Sequence, residues 1–104
     1  MNTSQKNIDL SNSKDDNPIP LGEFGYFQAR NKRRAYSIVM DEFKKSGISQ
    51  ATLARRMRKK PDVVCRLLSG PGNWGLDTFS DLLLAISGAA PIFGKEYPLV
   101  ETLE

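Results

Sequence analysis

A chain of 104 residues with 39% hydrophobic and 26% charged side chains has room for one small globular domain and not for two. It carries no histidine and one cysteine, which excludes a zinc site of Cys and His ligands, an internal disulfide and every nucleophile that relies on a histidine base. Fifteen Lys and Arg against twelve Asp and Glu leave a net charge of +3, too small a total to announce a nucleic-acid partner by itself.

Other classes are excluded as readily. The longest apolar run, Leu82 to Ile86, is far below the ~20 residues of a membrane span. The N-terminus has no apolar signal core, and a lone cysteine suits a reducing compartment. These features point to a cytoplasmic protein with no membrane partner. No acid–base constellation can be assembled from the spacing of the carboxylates, so neither an enzyme nor a cofactor or metal site is expected.

Residues 1–22 are rich in Asn, Ser, Asp and Pro, and their few apolar residues follow no period. Such a segment cannot bury enough surface to offset its ordering entropy, so a disordered tail is expected there. The domain proper is placed at 23–90. Ala35, Ile38, Val39 and Phe43 recur on one helical face, with Tyr36 and Met40 at its edges, and Gly47 follows Lys44 and Lys45 as a natural stop. The first helix is predicted at about 27–46.

Ser49 is an N-cap candidate for a short second helix at about 49–57, striped by Leu53, Ala54 and Met57. Pro61 suits the first position of a third helix, predicted at about 61–69 and stopped by Gly70. A breaker-rich loop, Gly70-Pro71-Gly72-Asn73-Trp74-Gly75, separates it from a fourth helix marked by Leu76, Phe79, Leu82, Leu83 and Ile86 and ended by Gly88. Residues 91–104, with Pro91 and Pro98, hold Ile92, Phe93, Tyr97, Leu99 and Val100. They read as a C-terminal arm that packs on the domain, on a second subunit or on a protein partner.

Two short helices joined by a tight turn and framed by one helix on each side follow the plan of a helix-turn-helix domain. The segment SQATLARRMRKKPDVVCRLLSGPGNWGLDTFSDLLLAI resembles the core of the XRE family, which includes the Cro and lambda-type phage repressors. The marks are Ser49-Gln50 opening the second helix, Leu53-Ala54 in its middle, Val64 and Leu67 in the third, Ser69-Gly70 closing it, and Leu76-Asp77-Thr78-Phe79 opening the fourth. The resemblance implies an all-α, four- to five-helix lambda repressor-like domain. Where that family has Gly between the second and third helices, Arg58 stands here, which suggests a differently shaped turn.

A helical wheel turns Val64, Leu67 and Leu68 of the third helix toward a core and Asp62, Arg66 and Ser69 away from it. In a major groove those three would reach base edges, flanked by Pro61, Val63 and Cys65; the resemblance implies the same positions. Arg66 can donate two hydrogen bonds to guanine, unless it is only a solvated partner of Asp62. Asp62 can accept from cytosine, or favour the helix N-terminus and orient Arg66. Gln50 opens a helix whose N–H groups can receive a phosphate, a contact the resemblance also implies. Lys59 and Lys60 precede the third helix, where phosphate contact is natural. The resemblance implies that the following loop, with Asn73 and Trp74, runs along the DNA backbone, and Trp74 is either a plug beneath that loop or an exposed anchor. The run Arg30, Lys32, Arg33, Arg34 reads equally as a flanking phosphate contact or as a solvated helix start.

The distribution of charge is more telling than its total. Residues 30–66 hold twelve of the fifteen Lys and Arg and three carboxylates, a local +9, while the remainder carries three cations and nine carboxylates, −6. A strongly basic segment between acidic flanks is the footprint expected of a DNA-binding face. The reading is therefore a transcriptional regulator of bacterial or phage origin, repressor-like, binding a pseudo-palindromic operator as a homodimer. The other reading is a protein-interaction module on the same scaffold, an antitoxin or anti-activator, suggested by the acidic, apolar C-terminal stretch.

Overall fold

The computed structural model describes residues 16–99, and among them every regular element is an α-helix. Four helices follow one another: α1 (Leu21–Ser46), α2 (Gln50–Met57), α3 (Pro61–Leu68) and α4 (Leu76–Ser87). They lie in one compact unit, Leu21–Ile92. Residues 16–20 and 93–97 form no helix, strand or turn. The tail expected at 1–22 falls largely outside the described residues, as does the end of the arm from residue 100. No helix among the described residues is long and apolar enough to cross a membrane.

α1 begins at Leu21, several residues ahead of the expected 27. The earlier start takes in Gly22 and Gly25, each of which costs about 1 kcal/mol relative to Ala in a helix interior. Propagation onto a formed helix is far cheaper than nucleation, however. A local contact adds to it, the Arg30 guanidinium lying 4.7 Å over the Phe27 ring one turn away, whereas Glu23 in the first turn is buried with its Oε2 lacking a hydrogen-bond partner among the described residues. Residues 21 and 22 of the expected tail are thus helical.

The core is a single cluster of Val39 from α1, Leu53 and Ala54 from α2, Val64 and Leu68 from α3, and Leu82, Leu83 and Ile86 from α4, with Met40, Phe43, Met57, Leu67, Trp74 and Phe79 packed against it. α4 packs on both α1 and α2, and α2 on α3. Three residues assigned to apolar faces do not belong to this cluster, Ala35, Ile38 and Leu76, of which Ala35 is half-buried. Ile38 is 50% exposed and Leu76 64%. In α1 the buried stripe runs instead through Val39, Met40 and Phe43, on a helix that packs against α4. Leu76 stands at the first helical position of α4, beyond the edge of the packed layer.

Helix ends are secured in three ways. Ser49 adopts extended backbone as the α2 N-cap and accepts from the Thr52 N–H at 3.1 Å, so one orphan donor of the first turn is satisfied. Gly88 closes α4 with φ 75°, a conformation glycine takes without a Cβ penalty. The third device joins two helices: Arg56 of α2 donates through Nη1 to the Ala85 and Ile86 carbonyls at 2.9 and 3.0 Å. α4 has no basic residue in its own last turn, and Arg56 supplies the cation that its C-terminal dipole favours.

The turn between α2 and α3 corrects an expectation. Arg58 caps α2 in the left-handed conformation, φ 59° and ψ 40°, so the turn keeps the shape that glycine would give it. The Arg58 N–H donates to the Arg55 carbonyl at 3.1 Å and the Lys59 N–H to the Ala54 carbonyl at 3.0 Å. These paired bonds are those of a Schellman end and offset the Cβ strain. A left-handed non-glycine residue costs roughly 1–2 kcal/mol, and glycine returns part of that gain as unfolded-chain entropy. Arg58→Gly is therefore expected to stabilise the fold by about 0.5–1 kcal/mol, read as a higher urea midpoint with unchanged slope.

Candidate nucleic-acid interface

α3 is held by one face and free on the other. Val64 is fully buried and Leu68 5% exposed, with Leu67 half-buried against the same core. Pro61, Asp62, Cys65, Arg66 and Ser69 are all exposed, while Val63, expected to flank the outer face, is half-buried. Its position one residue before Val64 turns part of its side chain toward the packed side. Pro61 opens the helix at a position where its missing N–H costs nothing, and the Lys60 carbonyl accepts from the N–H groups of Val63 and Val64 at 3.0 and 3.3 Å.

On the outer face Arg66 Nη1 lies 3.9 Å from Asp62 Oδ2, with the two side chains 72% and 71% exposed. A solvated pair of this length holds its partners weakly, about 0.3–0.5 kcal/mol for an i, i+4 helix pair. The guanidinium can therefore leave Asp62 for a base edge at little cost. Ser69 donates its hydroxyl to the Arg66 carbonyl at 2.8 Å, so toward a groove it presents acceptor lone pairs.

Around α3 the other candidates are distributed along the connecting segments. Lys59 and Lys60 are exposed in the three-residue turn that leads into α3, and Gln50 is exposed at the first position of α2. In the loop after α3, Asn73 is exposed and Trp74 half-buried. Trp74 packs against the core, its ring 6.0 Å from that of Tyr36.

Two long-range contacts that hold the helices around this face escaped the sequence reading. The Tyr36 hydroxyl donates to the Leu68 carbonyl at 2.7 Å, tying α1 to the C-terminal end of α3, and Arg56 ties α2 to the end of α4. Each spans about thirty residues. The only signal in the sequence was a polar atom beside an apolar face, which names no partner. No family model, curated protein or solved structure matched this chain in comparison.

Proposed function

We propose that the chain is a sequence-specific DNA-binding transcriptional regulator of the XRE type, cytoplasmic and of bacterial or phage origin, which acts as a homodimer on a pseudo-palindromic operator. The observation that carries this reading is α3 itself. It is buried along Val64 and Leu68, leaves Asp62, Arg66 and Ser69 exposed, and is entered through the exposed cations Arg58, Lys59 and Lys60. One short helix rarely discriminates enough sequence alone, which favours two copies on half-sites about one helical turn apart.

Selection of bound sequences from a random duplex pool tests binding, specificity and half-site spacing together. Affinity for the selected site is expected to fall by about 10³–10⁵ between ~50 and ~200 mM salt if the dimer makes 6 to 10 phosphate contacts. No enrichment, with no retardation of any duplex at low salt, refutes the reading.

A second reading has its own observation. Ile92 is 98% exposed, Phe93 69% and Tyr97 60%, a run of large apolar side chains that a protein partner would cover. Under that reading the chain is an antitoxin or anti-activator. A stoichiometric protein that co-purifies and is released by truncation after Gly88 would favour it.

A further inference from the structure

The basic run of α1 is the one motif that the reading of α3 leaves unused, and its placement is informative. We infer that Lys32 and Arg33 form a phosphate-contact site that extends the nucleic-acid face past the C-terminal end of α3, onto the backbone of the flanking duplex. This inference rests on the DNA-binding reading above.

Tyr36 supplies the geometry. Its hydroxyl donates to the Leu68 carbonyl at the end of α3, and its ring lies tilted beside that of Trp74 in the loop that follows. Lys32 and Arg33 stand at i−4 and i−3 from Tyr36, so they lie on the same face of α1, one turn nearer its N-terminus, with Cβ atoms about 5–6 Å from that of Tyr36. Helical side chains tilt toward the N-terminus of their own helix, so both cations extend from Tyr36 away from the core anchor Val39. Both are exposed.

The length of α1 leaves this segment outside the core. At about 1.5 Å per residue a helix of this size is ~39 Å long, yet its buried apolar anchor is Val39, with Met40 and Phe43 beside it. The turns ahead of Tyr36 therefore do not serve the core cluster. No carboxylate occurs between residues 24 and 40, so this stretch of α1 contributes only cations, and a polyanion is the partner it suits. A row of phosphates fits better than a single anion, because two adjacent long cations and the exposed loop present a track rather than an enclosed pocket.

The experiment measures binding to a random-sequence duplex as a function of salt, where affinity is electrostatic and no operator need be known. Each phosphate contact contributes about 0.9 to the slope of log affinity against log salt. The double variant Lys32→Ala/Arg33→Ala is expected to reduce that slope by about 1.8 per chain. Both residues are exposed, and Ala is the best helix former, so helicity is retained. The charge-preserving variant Lys32→Arg/Arg33→Lys is expected to keep the slope of the parent. Lys60→Ala serves as the reference for a contact ahead of α3. A slope lowered by Lys60→Ala but unchanged by Lys32→Ala/Arg33→Ala overturns the α1 site and leaves the DNA-binding reading standing. A parent chain that binds no duplex overturns both.

Discussion

Leu53→Ala is expected to destabilise the domain by about 2–5 kcal/mol, the range for truncating a fully buried Leu to Ala. Leu53 is completely buried, in α2, which packs on both α3 and α4. The cavity left behind would therefore sit against all three of the shorter helices. A domain of this size holds only roughly 0.05–0.15 kcal/mol per residue of net stability, so the loss is a large share of the whole. Urea unfolding followed by circular dichroism reads it directly. Leu53→Met, which nearly conserves volume, should cost less than about 1.5 kcal/mol. Ile38→Ala is the informative contrast: Ile38 shares the apolar sequence pattern of α1 yet is 50% exposed, and its truncation should cost about 1 kcal/mol or less. Equal losses at Leu53 and Ile38 would refute the packing described here.

The second large effect concerns recognition. Arg66→Ala is expected to lose about 1–3 kcal/mol on the selected site, a factor of roughly 5 to 150, and to relax preference at one base pair per half-site. Affinity for random duplex should fall much less. Because Arg66 is exposed and its link to Asp62 is weak, the variant should fold with unchanged stability, which separates a recognition role from a structural one. Competition between selected and random duplexes measures the ratio. A variant that weakens both equally would make Arg66 a phosphate contact and move the reading of bases elsewhere on α3. Asp62→Asn adds a further distinction. If Asp62 only orients Arg66, its loss should resemble a milder Arg66→Ala; if it accepts from cytosine, preference should change at a different base pair.

The burden of these predictions falls on three ties: Tyr36 to Leu68, Arg56 to the end of α4, and the paired backbone bonds around Arg58. Each fixes an end of a helix, and helix ends are where orphan carbonyls and N–H groups must find partners. α3 has only eight residues, too few to be stable alone. Its orientation is therefore imposed by its neighbours: the core beneath Val64 and Leu68, the left-handed turn before it, and the tyrosine at its end.

Much of this was legible in the residues. The all-α class, the short helices α2 and α3 with Ser49 and Pro61 at their starts, and the inward faces carrying Leu53, Ala54, Val64, Leu68, Leu82, Leu83 and Ile86 all follow from 3.6-residue periodicity and cap chemistry. Those signals are local: a helix's own sequence determines which residues share a face and where its ends are cheap. Tertiary structure decided the rest. Whether Ile38 or Met40 flanks Val39 on the buried side depends on how α4 packs against α1. The early start of α1 depends on extension from a helix already anchored further along, against the bias of Gly22 and Gly25. The left-handed Arg58 is tolerated because bonds to Ala54 and Arg55 compensate for it, where sequence alone argued for another turn. The contacts of Tyr36 and Arg56 join residues about thirty positions apart, and periodicity within one helix holds no record of which neighbouring helix end a hydroxyl or a guanidinium will reach.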